Sequence, residues 1–174
     1  MVSLAPSHRQ RGMSLIELMV TVTLMCIIAL AGVPLTKAWV DSAHQREAAG
    51  MLAEGLGRAK ALAMRNPGGI ADPAQPGAFV CLTGNTVAVA RPDQSTACGK
   101  GTLAWSTTLP TGSSIALGDK TAFYCVAYSA RGAALAVKVA ASATPCTVPS
   151  SPPTPATTIE AHAGNEDALA VSIP

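Results

Sequence analysis

The side chain whose type and place most demand chemistry is Glu17. Between Met13 and Leu35 it is the only charged residue; the others are apolar, small or hydroxyl-bearing. Just over twenty such residues suffice to cross a bilayer as a helix. A carboxylate held at mid-membrane costs roughly 2.5–3.5 kcal/mol on insertion scales, and such a group ordinarily has a role and a partner. A place at the headgroups would relieve Glu17 of that need. Inside hydrocarbon, an isolated charge is costly unless a charge of opposite sign meets it.

The remaining reactive residue types lead elsewhere. Of five cysteines, Cys26 lies in the apolar run, where it reads as a small apolar residue; Leu24-Met25 before it does not make a lipobox. Cys81, Cys98, Cys125 and Cys146 lie in the polar part and can pair in three ways. Pairing nearest neighbours in sequence, Cys81–Cys98 and Cys125–Cys146, closes two loops of about 20 residues, each worth roughly 3 kcal/mol in the chain-entropy model. A zinc site lacks a CxxC, and only His162 is near in sequence. Disulfides imply an oxidising compartment. His44 and His162 have no nucleophile or carboxylate motif tied to them. Gly99-Lys100-Gly101-Thr102 lacks both the glycine spacing and the strand–loop–helix setting of a phosphate loop. Lys100, Lys120, Arg131 and Lys138 make a basic patch only if folding gathers them. An enzyme is therefore not expected, nor a cofactor, a metal or a small-molecule substrate.

Gly12 followed by Met13-Ser14-Leu15-Ile16-Glu17-Leu18 resembles the class III signal of type IV prepilins: a short basic leader ending in Gly, then an apolar helix with Glu fifth in the mature chain. The resemblance implies cleavage between Gly12 and Met13 by a prepilin peptidase, N-methylation of Met13, and a Glu17 that recruits the subunit into a filament. It further implies that Pro34 kinks the helix. Residues 52–66, from Leu52-Ala53-Glu54 to Met64-Arg65-Asn66, are similar to the helix of pseudopilins and minor pilins of the GspH/FimT group. The order Cys81, Cys98, Trp105, Tyr124-Cys125, Arg131-Gly132 resembles the head of its FimT/FimU-like members. Leu109-Pro110-Thr111-Gly112 stands where that group carries a Gly-Trp segment. The fold implied is an α+β "ladle", a long N-terminal helix packed on a small antiparallel β-sheet head.

The elements that must hold these residues are readable from period and breakers. Arg9 and Arg11 flank the apolar run and keep that end cytoplasmic, so the rest is translocated. The competing signal, Ala29-Leu30-Ala31, fits an ordinary signal-peptidase site. Glu17 interrupts the apolar core that such a peptide needs, and the run exceeds its usual ~7–15 residues. Thr21 and Thr23 can bond back to the preceding turn. Beyond Pro34, Trp39, Ala43, Ala48, Leu52, Leu56, Ala59 and Ala63 form an apolar stripe, Glu54 and Arg58 an i,i+4 pair, and Asn66-Pro67-Gly68-Gly69 a stop. Gly50, Gly55 and Gly57 either weaken this helix or let it lie close to a sheet. From Ala78 the period turns to two. Residues 78–82, 86–90, 102–106, 113–117, 121–129 and 133–140 read as strands, with hairpin turns at Thr83-Gly84-Asn85 and Ala130-Arg131-Gly132.

Net charge is +2, but removing residues 1–12 takes away Arg9 and Arg11 and leaves ten Lys/Arg against ten Asp/Glu. That balance speaks against nucleic acid as a partner. Aromatics are 3%, so Ala, Val, Leu and Ile must build a core that leans on further constraints. Residues 150–155 read as a stiff linker, 156–167 as polar tail, and 168–173 as a tail or edge strand. The expected organisation is leader 1–12, transmembrane half-helix 13–35, amphipathic half-helix 36–66, disulfide-bonded β head 67–149, and linker and tail 150–174. The expected function is that of a minor pilin in the inner membrane, head periplasmic, helping to initiate or cap a type IV pilus. Its partners are the peptidase and other major and minor pilins. Alternatives are a type II secretion pseudopilin, a DNA-binding pilin for transformation, and a soluble secreted domain cut after Ala31.

Overall fold

The computed structural model describes residues 13–92, 98, 101–118, 120–139, 146 and 158–174. One helix, α1 (Leu15–Arg65), is followed by eight strands: β1 (Pro76–Thr83), β2 (Thr86–Arg91), β3 (Thr102–Thr108), β4 (Ser113–Leu117), β5 (Phe123–Ser129), β6 (Ala134–Val139), β7 (Ile159–Ala163) and β8 (Leu169–Val171). This is the expected α+β arrangement of a long N-terminal helix and a small antiparallel sheet domain. The chain divides into two units, Met1–Lys37 and Ala38–Pro174.

In the first unit, α1 is continuous through residue 34. The hydroxyls of Thr21, Thr23 and Thr36 donate to the carbonyls of Leu18, Met19 and Gly32, at 2.9, 2.7 and 3.0 Å. They thereby hide polar groups that the surrounding side chains cannot satisfy.

In the second unit, α1 ends at Arg65 and the next residue, Asn66, takes the left-handed conformation with φ 44°. Its side chain accepts from the Ile70 amide at 2.8 Å and donates to the Ile70 carbonyl at 2.9 Å. Pro67 then bars any continuation. The buried helical positions are Gln45, Ala48, Ala49, Leu52, Leu56, Ala59 and Ala63, stepping by three and four with Gly55 among them. Trp39 and Ala43, expected on this stripe, are exposed, Trp39 by 73%. Helical period indicates a face; it does not say how far along that face a sheet extends, and here burial begins at Gln45.

The first sheet has the order β3-β2-β1-β5-β6, antiparallel throughout. Along β1 and β5, successive side chains enter two cores. Ala78, Val80, Val126 and Tyr128 join the helical stripe, while Phe79, Cys81, Cys125 and Ala127 form a second cluster with Cys146. Both faces of β1 are therefore buried, which fits its continuous apolar run. Gly55 is a point of close approach between helix and sheet: a Cβ there would lie 3.2 Å from Val87 Cγ1 and 3.3 Å from the Trp105 ring. Gly50 and Gly57 face open space. Gly55→Leu should therefore overpack the interface and lower stability by about 1–3 kcal/mol. Gly57→Ala should raise it by about 1 kcal/mol. Urea midpoints of the two variants check both signs.

The second sheet, β4-β7-β8, corrects the reading of residues 156–167 as polar tail. β7 is its central strand, paired with β4 from Ser113↔Ala163 to Leu117↔Ile159. Ile159, Ala161 and Ala163 point into the core while Glu160 and His162 are half-buried on the other face. The Gln45 amide, itself buried, donates to the carbonyls of Ala161 (3.0 Å) and Asp167, fixing the C-terminal hairpin to α1. Residues 168–173 do include an edge strand, β8.

Candidate functional site

Gly12 lies outside the described residues. Met13 and Ser14 precede α1, and the Leu18 amide bonds the Ser14 carbonyl at 3.1 Å, so the helix begins directly after the expected junction. Glu17 falls in the first helical turn. A carboxylate there faces the unpaired amides and the positive end of the helix, worth about 0.3–1 kcal/mol. Among the described residues Glu17 has no ion pair or hydrogen bond from a side chain, and it is exposed.

The run after Glu17 is apolar on every side. Leu15, Ile16, Leu18, Met19, Val20, Val22, Leu24, Met25, Ile27, Ile28, Leu30 and Val33 are each more than half exposed, and the most apolar window of α1 has mean hydropathy 2.4 with none of it buried. A helix hydrophobic all round must be covered by lipid or by other helices. Cys26 sits on this surface as a free thiol.

The second unit carries the other expected residues. Cys81 bonds Cys98 and Cys125 bonds Cys146, with Cα–Cα distances of 5.7 and 6.3 Å. Cys81 and Cys125 are also direct cross-strand partners on β1 and β5, so the two bridges leave the sheet side by side from one face. Each ties a cysteine distant in sequence, Cys98 or Cys146, to a sheet face poor in aromatic bulk. Lys120 precedes β5 and Arg131 follows it, at opposite ends of that strand, so these two do not gather. Lys100 and the side chain of Lys138 lie outside what is described.

Three features were not foreseen. His162 Nε2 lies 3.5 Å from Glu160 Oε2, two residues apart on one face of β7; strand period would have shown this had the strand been recognised. Arg58 bonds Glu54, as its spacing predicts, but its guanidinium also stands 5.1 Å over the Trp105 ring. Tyr128 is fully buried, its hydroxyl without a hydrogen-bond partner among the described residues, and burial raises its pKa well above the ordinary phenol value. Among the described residues no three of His, Cys, Asp and Glu converge as metal ligands. A groove of about 330 Å³ between Leu82, Asn85, Leu109, Ile115 and Phe123 mixes apolar and hydroxyl or amide side chains and holds no titratable pair.

Comparison with known families places one segment. Residues 7–33 match the model of the prokaryotic N-terminal methylation motif. The match spans the end of the expected leader, the expected Gly12–Met13 junction, Glu17 and most of the apolar run. It supports a type IV pilin-like or pseudopilin protein, processed by a prepilin peptidase and assembling with other pilins, and with the exposed apolar helix it fits membrane anchoring. Comparisons with curated proteins and with solved structures give no significant match.

Proposed function

We propose that this chain is a minor pilin of the GspH/FimT group, cut after Gly12, methylated on Met13, and inserted in the inner membrane with its head in the periplasm. There it helps initiate or cap a type IV pilus by packing α1 among the helices of other pilins. The observation that carries this reading is Glu17, fifth from the junction and without a side-chain partner among the described residues, at the head of a helix that is apolar on all sides. Extraction of that helix from lipid into a bundle leaves its apolar surface covered, and the new amine of a neighbouring Met13 can neutralise the acid. The same features serve a type II secretion pseudopilin. Deletion of the gene separates the two, since pili vanish in one case and a secreted enzyme accumulates in the periplasm in the other.

The direct test is the mature N-terminus. N-terminal sequencing and mass of the membrane form should give N-methyl-Met13. A start at Gly32 would make the chain a soluble secreted domain and overturn the reading. Gly12→Val should abolish processing and leave a full-length membrane protein, with less than about a tenth of the chain at mature size, because only Gly leaves the scissile backbone open to close approach.

A further inference from the structure

We propose that the outer edge of β3 receives the β8 edge of a second copy of this chain, joining heads through a shared sheet. β3 is the edge of the five-stranded sheet, and Leu103, Ala104, Ser106 and Thr108 on it are exposed, Leu103 by 59%. From Leu103 to Thr108 it contains no charge and no proline. Edge strands are ordinarily guarded by such residues, because a bare row of amides and carbonyls is a template for another strand. The opposite edge, β6, has Lys138 in its sequence. β3 has only a register shift opposite Val89/Ala90.

Alongside β3 runs a groove of about 220 Å³, with Leu62, Ala104 and Trp105 in its lining and Arg58 and Arg65 on its helical wall. Arg58 is engaged by Glu54 and Trp105; Arg65 has no ion pair among the described residues. The edge is thus uncharged from Leu103 to Thr108 and positive at its flank.

β8 presents the complementary character. It is the edge of the three-stranded sheet, uncharged from Leu169 to Val171, with Leu169 and Ala170 exposed. Glu166 and Asp167 precede it, and the Asp41 carboxylate lies against Gly164 in the same turn. Pairing β3 with β3 would set arginine against arginine, and β8 with β8 acid against acid. Only β3 with β8 joins opposite charges. That contact is heterologous, so it adds copies in a line rather than closing a pair. Strand addition over three to six residues is weak by itself; anchoring in one membrane or filament supplies the local concentration it needs. A Trp beside arginines also suits single-stranded nucleic acid. The Glu54 carboxylate on Arg58 and the even charge of the processed chain favour an acidic protein edge instead. The biological use of the contact rests on the assembly reading; its chemistry does not.

The test uses the full chain in detergent micelles with a benzoylphenylalanine at position 104. Copies labelled with ¹⁴N and ¹⁵N are mixed, irradiated and digested. The expected product is a mixed-isotope cross-link between the peptide carrying position 104 and residues 158–174. Leu103→Lys should lower its yield at least fivefold. Arg65→Glu should do likewise, and adding Asp167→Arg to Arg65→Glu should restore it to within twofold, with circular dichroism unchanged in all three. Absence of inter-copy product, a 104-to-104 product, cross-linking to co-purified nucleic acid, or no restoration by the charge swap each overturns the proposal. Neither Gly12 processing nor Glu17 enters this measurement. Loss of the cross-link with filament incorporation intact therefore rejects the docking and spares the assembly reading; a persistent cross-link without incorporation does the reverse.

Discussion

Glu17→Ala is expected to leave cleavage after Gly12 unchanged while lowering incorporation into filaments by about thirty-fold or more. Truncating one partner of a desolvated charge pair costs roughly 2–5 kcal/mol, mostly because the other charge is left buried and unpaired. At about 1.4 kcal/mol per tenfold, the lower figure already gives that factor. The interaction of Glu17 with its own helix terminus is smaller, about 0.3–1 kcal/mol. It is present in the membrane-resident subunit as well as in the filament, so it cancels from the ratio. On the proposed assembly, what remains is the neighbour's amine. The measurement is the amount of mature chain in sheared filaments relative to membranes. Glu17→Gln, which keeps size and hydrogen bonding but removes charge, should recover only a small part of the loss. Equal ratios for wild type, Glu17→Ala and Glu17→Gln would mean that the acid has no partner between chains, and the assembly reading would fall with them.

This region is legible because its information is local. A glycine, a basic leader and one acid five places into an apolar run can be counted without knowing the fold, and residues 7–33 match the methylation motif on that basis. The first six strands were also legible, since period two and turn residues such as Gly84 and Gly132, both at positive φ, act over a few residues. Helical period predicted Ala48, Leu52, Leu56, Ala59 and Ala63 as core, and they are fully buried. It misplaced Trp39 and Ala43, because where a sheet stops covering a helix is a tertiary fact. The same limit applies to Gly55. Three glycines look alike in the sequence, and only contact with Val87 and Trp105 tells one from the others. The approach of Arg58 to Trp105, 47 positions apart, depends on which strand lands beside α1.

The C-terminal hairpin is the largest feature that composition concealed, and it sets the second large expectation. Residues 159–163 include Glu and His, follow a proline-rich stretch, and pass for a solvated tail. Their alternation places Ile159 at 0% exposure in the centre of a sheet, opposite Leu117 on β4 and Val171 on β8. Ile159→Ala should then cost about 2–5 kcal/mol through lost contacts and a residual cavity. Ile159→Asp should cost more, because a carboxylate placed there has no cation on any packed neighbour in the buried cluster and must either stay charged in an apolar core or take up a proton. Against a total stability of about 5–15 kcal/mol, that change should unfold the head or make it a protease substrate at once. Glu160→Ala, one residue away on the other face, should stay within about 0.5 kcal/mol. Urea midpoints and limited proteolysis of the full chain, with both disulfides oxidised, read all three. A frayed tail would make the three variants indistinguishable from wild type. A graded series from Glu160→Ala through Ile159→Ala to Ile159→Asp requires that β7 be part of the core, held there by pairing with β4 and by the Gln45 amide from α1.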